Sequence, residues 1–228
     1  MLLDFINLLF PEICASCEEA LLKNEVCICT HCRSHLPLSQ DYDIKNSETK
    51  KVFYGRVPLK KASSLFYFEK GGAVQHIIHD LKYRGNEKVS EVLGSWHAQL
   101  LAESGWKSQF DWIVPVPIHK KRLRKRGFNQ VDKYAEAFAK HLDAIFVKDV
   151  LLRKQKSKTQ VFKNRISRTK VNYEEFYLNE KAIENEPKHI LLVDDIITTG
   201  ATIEACCQEL LKIDNVKISI ASMAFTTK

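Results

Sequence analysis

Thirteen residues near the C-terminus limit the folds open to this chain more than any other stretch: Ile190-Leu191-Leu192-Val193-Asp194-Asp195-Ile196-Ile197-Thr198-Thr199-Gly200-Ala201-Thr202. Four aliphatic residues followed by two carboxylates read as a parallel strand covered on both faces, with polar residues beginning where such a strand ends. Residues 202–212 have helical composition, so the unit is strand, glycine-containing turn and helix. Ligands bind at that edge of α/β sheets. An acidic strand end capped by Thr before a surface helix is the plain structural alternative. The number of residue types that must coincide favours a ligand site.

The spacing suits a ribose phosphate. Adjacent aspartates accept hydrogen bonds from vicinal hydroxyls, while Thr198, Thr199, Gly200 and Thr202 wrap an anion, largely through backbone N–H groups at the start of the helix. Gly200 lets the backbone approach closely. The run resembles the phosphoribosyl pyrophosphate (PRPP) signature of type I phosphoribosyltransferases, in which a hydrophobic strand leads to paired acidic residues and a Thr-Thr-Gly-x-Thr turn. The resemblance implies an α/β fold, a parallel sheet flanked by helices. It also implies that Asp194 and Asp195 bind the ribose hydroxyls, that Thr198, Thr199, Gly200, Ala201 and Thr202 bind the 5′-phosphate, and that PRPP comes with Mg²⁺.

The seven cysteines are unevenly placed, five of them between Cys14 and Cys32. Clustering argues against a disulfide scaffold. Cys14-x-x-Cys17 and Cys29-x-x-Cys32 are two metal-knuckle pairs, together offering the four soft ligands of a structural Zn²⁺ site. Cys27 lacks the two-residue spacer and His31 would break the second pair, so both are expected to stay off the metal. A redox pair or buried free thiols are the alternative. Cys206 and Cys207, adjacent on a helix, cannot both face one site and read as small core fillers.

The chain has 228 residues, 45% of them hydrophobic and 28% charged, enough for one medium domain and a small appendage. Its net charge of +7 favours anionic partners, whether nucleic acid, nucleotide or membrane surface. At the N-terminus, Leu2, Phe5, Ile6, Leu9 and Phe10 share one helical face before Pro11. With no basic leader and too little length for a bilayer, this is expected to be a packing helix and not a signal peptide. A cytoplasmic protein without a transmembrane segment follows, with peripheral association at the inner membrane left open. The polar stretch from Leu36 to Lys51 reads as a boundary between a zinc module (1–44) and a main domain (45–228). Beyond it, residues 62–69 read as a strand and residues 71–82 as a helix carrying Val74, Ile77, Ile78 and Leu81 on one side.

A second constellation starts at Trp112-Ile113-Val114-Pro115-Val116-Pro117, a strand cut off by prolines. It continues through a loop with six basic residues among the seven from Lys120 to Arg126, then Gly127-Phe128-Asn129-Gln130. A helix follows through Val131, Tyr134, Ala135, Phe138 and Leu142, then a strand over residues 146–152. In a phosphoribosyltransferase the corresponding loop receives pyrophosphate, which fixed cations suit. The double CxxC, Pro-Val-Pro, basic stretch, Arg-Gly-Phe-Asn-Gln and PRPP run together resemble the ComF competence proteins across essentially the whole chain. That resemblance implies a role in natural transformation on incoming single-stranded DNA at the cytoplasmic side, beside uptake-machinery proteins such as a helicase-like motor and an inner-membrane channel.

Residues 151–172 sit where phosphoribosyltransferases carry a mobile catalytic loop. Matched by position to the family pattern, Arg153, Thr159, Gln160, Arg165, Arg168 and Asn172 are the residues to mutate. Arg165 is the candidate contact to pyrophosphate or DNA backbone; solvated loop charge is the alternative. Two functions are carried forward. As a binding protein, the chain grips single strands with Arg122, Arg124, Arg126, Lys163, Arg165 and Arg168, with Phe128, Phe162, Tyr173 or Trp106 stacking bases. As an amidophosphoribosyltransferase-like enzyme, it uses Asp194, Asp195 and Arg165 to transfer a phosphoribosyl group to an unknown acceptor.

Overall fold

The computed structural model describes residues 11–42, 47–154, 175–183 and 185–226. In chain order its elements are helices α1 (Thr30–His35) and α2 (Glu48–Lys51), strand β1 (Leu59–Tyr67), helices α3 (Ala73–Tyr83) and α4 (Glu87–Leu101), strand β2 (Trp112–Pro115), helices α5 (Lys120–Arg126) and α6 (Asp132–Leu142), strands β3 (Ile145–Phe146), β4 (Leu151–Arg153), β5 (Phe176–Leu178) and β6 (His189–Ile197), helix α7 (Ala201–Leu210) and strand β7 (Lys217–Phe225). Five strands form one sheet in the order β1-β7-β6-β2-β3, every neighbouring pair parallel. This is the α/β architecture the sequence predicts.

The unbroken aliphatic run makes β6 a central strand. Leu191 and Val193 join a core on one face with residues of α3, α4 and α6, while Ile190 and Leu192 join a core on the other with residues of α7. All four are fully buried, each contributing about 1.5–3 kcal/mol of apolar burial. Cys206 and Cys207 lie fully buried in the second core, where burial pushes both thiols above their ordinary range. On the first face, Ser63 Oγ of β1 and Tyr134 Oη of α6 lie 2.8 and 2.6 Å from the two ring nitrogens of His97 on α4. Burial holds that imidazole neutral, its pKa down at about 3.

Two expectations are corrected. The basic stretch 120–126 is the helix α5 and not a loop. His119 caps it through Nδ1, which accepts from Lys121 N at 3.1 Å, and Gly127 ends it at φ 88° with its N–H donating to Leu123 O. Desolvation, then Arg153, Lys121 and Arg122, keep the His119 pKa below its ordinary value, which suits an accepting ring. Lys, Arg and Leu all have high helix propensity, and Arg124, Lys125 and Arg126 complement the C-terminal dipole. The strand expected over 146–152 is two short strands: β3 adds to the edge of the main sheet, whereas β4 pairs antiparallel with β5. Between them Asp149 takes φ 64°, a left-handed turn that ends one strand before the next begins. Strand β7 and helix α4 are additions that the sequence reading did not assign.

The boundary expected near residue 45 falls at 43–46, outside the described residues, as do Leu2, Phe5, Ile6, Leu9 and Phe10. The cysteine segment shares the first core, since Cys14, Ala15, Cys27, Ile28 and Leu36 cluster with Val74 and Ile77 of α3. Among the described residues no helix is long and apolar enough to cross a membrane.

Candidate functional site

The sheet order creates a crevice beside β6. From β2 the chain leaves through α5 and α6 towards β3, whereas from β6 it leaves through α7 towards β7, on the opposite side. The carboxyl ends of β2 and β6 therefore flank a topological switch point, where open α/β sheets bind ligands. Strand β6 runs on past Val193 to Ile197 because β7 continues to pair with it, Asp194 with Ser222 and Ile197 with Phe225. Pairing with β2 stops at Pro115 and Val193. Asp194 and Asp195 thus sit where β6 loses one neighbour, and they line a cleft of about 650 Å³.

Cations surround the pair. Lys82, Arg84, Arg122, Lys125, Arg126 and Arg153 all line the cleft. Lys82 Nζ lies 2.7 Å from Asp195 Oδ2, and Gln130 Nε2 donates to the same oxygen at 2.8 Å. Arg126 in turn donates to Gln130 Oε1, so one turn of α5 and the loop after it hold the carboxylate in place. Asp195 Oδ1 accepts from Ile196 N, and Asp194 Oδ1 accepts from Asp195 N. Arg124 is exposed and is not among the cleft's lining residues, because two residues on from Arg122 it falls on the opposite face of α5 from Arg122 and Arg126.

Asp194 is buried, and that burial, followed by the charge of Asp195, pushes its pKa up to about 8. A carboxyl whose folded pKa exceeds its unfolded value of about 3.9 contributes stability that is full at low pH and lost as pH rises through the folded pKa. Stability should therefore decline between about pH 4 and pH 8. Asp194→Asn is expected to flatten that decline and to be the more stable protein at about pH 8. Urea unfolding at about pH 5 and pH 8 measures this; equal slopes for both proteins would contradict it.

The turn at residues 198–202 is braced from behind. Gly200 caps α7 at φ 77°, and Thr198, Thr199 and Thr202 are exposed around it. A Cβ at Gly200 would stand 2.7 Å from Phe53 Cε1 and 3.2 Å from Val52 Cγ1. Arg56 Nη1 donates to Thr199 O at 2.7 Å, and Arg56 Nε donates to Glu204 Oε2 at 2.8 Å. Sequence reasoning missed Phe53 and Arg56 because they lie in a stretch next to the supposed boundary; the apolar residues Val52, Phe53 and Val57 were the available signal.

Arg165, Lys163, Arg168, Thr159, Gln160, Asn172, Phe162 and Tyr173 lie outside the described residues. Trp106, considered for base stacking, is fully buried and so cannot meet a ligand. Tyr83, which the sequence marks only as part of a basic turn over residues 82–86 able to contact an anion or merely to complement a helix C-terminus, is 67% exposed in the cleft, with the Arg126 guanidinium 5.8 Å from its ring centroid.

The Sγ atoms of Cys14, Cys17, Cys29 and Cys32 all lie within 4.8 Å of one another, a set able to hold a metal such as zinc. Cys29 N donates to Cys14 Sγ at 3.3 Å and Cys32 N to Cys29 Sγ at 3.4 Å, as in turns that orient thiolates inward. At Cys14 burial raises the pKa, but the amides of Cys17, Cys29 and Ser16 outweigh it and bring it to about 7. Cys27 is buried outside the cluster, and desolvation pushes its thiol to about 11. The first knuckle rests on α3: Ser16 O lies 3.2 Å from His76 Nδ1, and Glu18 pairs with Arg84 at 2.5 Å. Helix α3 and the residue after it carry Lys82, Tyr83 and Arg84 to the cleft, so the cluster and the carboxylate site share one support.

A phosphoribosyl transferase domain family matches residues 127–228, which include α6, β6, the turn at 198–202 and α7. The chain is 29% identical over 143 residues to the DNA utilization protein YhgH of Escherichia coli K12, covering 60% of each chain. It is 32% identical over 132 residues to the competence protein ComFC of Streptococcus pneumoniae R6, covering 58% of this chain and 54% of the relative. It is 29% identical over 112 residues to competence protein F of Haemophilus influenzae Rd, covering 49% of each. The alignments thus span about half to three fifths of these relatives' length. With paired aspartates at the switch point and a glycine-capped turn after them, the chain carries a match to the phosphoribosyl transferase domain over residues 127–228 and is similar to ComF-type competence and DNA utilization proteins over about half to three fifths of its length.

Proposed function

We propose that this protein acts in natural transformation, binding single-stranded DNA on the cytoplasmic side and binding PRPP at residues 194–202. The observation that carries this reading is the single cleft in which the carboxylate pair and six cationic side chains face one another. A ribose phosphate has hydroxyls for Asp194 and Asp195 and a phosphate for the N-terminus of α7. A strand has a backbone for Arg122, Lys125 and Arg126 and bases for Tyr83. The names of the relatives, which refer to competence and DNA utilization, agree with this role. Uptake-machinery proteins, such as a helicase-like motor or an inner-membrane channel, are the partners such a role requires. Zn²⁺ is assigned to Cys14, Cys17, Cys29 and Cys32, in a module spanning residues 1–44, and Mg²⁺ to the Asp194–Asp195 pair, where it would neutralise phosphate charge.

Titration with a single-stranded oligonucleotide at several salt concentrations tests the DNA part. Three to five neutralised phosphates give a slope of log K against log salt of roughly −2 to −3.5. Arg122→Glu and Arg126→Glu should each weaken binding by about tenfold, and Arg124→Glu by much less, because only the first two line the cleft. Equal losses at all three positions, or a salt-independent affinity, would sink this reading.

The same enclosure favours a second reading, transfer of the phosphoribosyl group to an acceptor with pyrophosphate leaving among the cations. Asp194 and Asp195 would hold the ribose, and Arg122 and Arg126 the departing charge. PRPP-dependent pyrophosphate release that disappears in Asp194→Asn and Asp195→Asn would establish it; release no faster than in those variants would remove it.

A further inference from the structure

Arg56 touches the turn at residues 198–202 without lining the cleft. Its guanidinium makes contacts in two directions. Nη1 donates to Thr199 O at 2.7 Å and to Val52 O at 3.2 Å, which clips the turn to the residue that ends α2. Nε donates to Glu204 Oε2 at 2.8 Å, and Nη2 donates to the same oxygen. Glu204 belongs to the first turn of α7 and is only 6% exposed.

Thr199 C=O and Gly200 N–H belong to one trans peptide, so they point in opposite directions. Because Arg56 holds the carbonyl, the Gly200 amide is aimed away from the guanidinium, and it has no acceptor among the described residues. Without Arg56 the peptide can invert, since glycine adopts either hand of φ at little cost. An inverted peptide offers a carbonyl where an anion needs a donor. The ion pair adds a second effect, because a carboxylate in the first turn of a helix opposes an anion arriving at its N-terminus. The guanidinium cancels that charge. We propose that Arg56 is a positioning residue for anion binding at this turn: it locks the orientation of the Thr199–Gly200 peptide and neutralises Glu204 without touching the ligand. The role rests on the phosphosugar reading of residues 194–202, and the parent protein's own titration separates the two.

Of the eight glycines only Gly200 follows a threonine, so isotope labelling of threonine carbonyls and glycine nitrogens isolates that single peptide for NMR. Ribose 5-phosphate should shift this signal in the parent protein. In Arg56→Met the ligand-free signal should already be displaced, and ribose 5-phosphate should bind at least about thirtyfold more weakly. Met keeps an apolar stem near Phe53, whose ring centroid lies 5.8 Å from the guanidinium carbon. Adding Glu204→Gln removes the buried charge that Arg56→Met strands, so the double variant should regain melting temperature. Its affinity should stay at least about tenfold below the parent's, because nothing holds the peptide. A merely structural ion pair would let affinity return with stability. Parent-like affinity in Arg56→Met, or full recovery of affinity in the double variant, would overturn the role and leave the phosphosugar site standing. No ribose 5-phosphate binding by the parent would overturn both.

Discussion

Gly200→Ala is expected to lower stability by about 2–5 kcal/mol and to abolish phosphosugar binding at residues 194–202. Two separate costs combine at this position. Gly200 has φ 77°, a left-handed conformation that costs an L-residue about 1–2 kcal/mol. Its missing side chain is also what lets the turn close on Phe53, since a Cβ would lie 2.7 Å from that buried ring. Overpacking of this kind costs about 1–3 kcal/mol. Relief requires Phe53 or the turn to move. Movement of the turn would strain the Arg56 hydrogen bond to Thr199 O and reorient the first amides of α7. Urea denaturation reports the stability loss and PRPP titration the binding loss. A companion Phe53→Leu change opens space at the contact and should recover part of the stability but little of the left-handed penalty. A Gly200→Ala protein as stable as the parent would show that the turn is not held against Phe53.

Cys29→Ser is expected to lose bound zinc and to unfold the segment around residues 14–36. Structural Zn²⁺ sites contribute apparent binding free energies of roughly 10–16 kcal/mol in small zinc-finger peptides, comparable to the whole stability of a typical domain. The segment has little regular structure of its own: α1 has no buried residues, and the bridges beside the cysteines are isolated pairs at Ile13–Ala20 and Val26–Ile28. The damage should spread, because Cys14, Ala15 and Ile28 belong to the core that includes α3. Metal analysis of the purified protein should give one zinc per chain, and a strong chelator should produce the Cys29→Ser phenotype. PRPP affinity should fall with it, since α3 brings Lys82 to Asp195. Cys27→Ser should keep its zinc, because Cys27 lies outside the cluster of four. Full stability of the metal-free protein would contradict this account.

The two halves of the site differed in how legible they were. A strand buried on both faces requires a continuous aliphatic run, so β6 and its carboxylates could be read directly from residues 190–195. Cysteine spacing likewise brought out the four thiols, because each pair needs only one tight turn. The basic stretch 120–126 misled for a physical reason: helix α5 has no buried residue, so no apolar period marks it, and only the His119 cap and Gly127 stop reveal it. Strand β7 is buried along almost its whole length, but its Lys-Ile-Ser-Ile-Ala-Ser-Met-Ala-Phe sequence mixes serines with apolar residues. Three of its polar contacts explain them: Ser222 bonds Ser64, and Ser219 bonds Lys61 N and His189. The contacts of Arg56, Phe53 and Lys82 are long-range, and no local pattern encodes a partner more than a hundred residues away.

The most direct test of the central claim is calorimetric titration of PRPP with Mg²⁺ into the parent protein and into Asp195→Asn. The parent should bind one PRPP per chain, and the variant should bind at least about tenfold more weakly, having lost an ionised acceptor for the ribose hydroxyls. Asn can still accept from Ile196 N, but its NH₂ then faces Lys82 and Gln130 Nε2, so the melting temperature of the variant is measured beside its affinity. No PRPP binding by the parent, or equal binding by the variant, would show that residues 194–202 do not form a phosphosugar site.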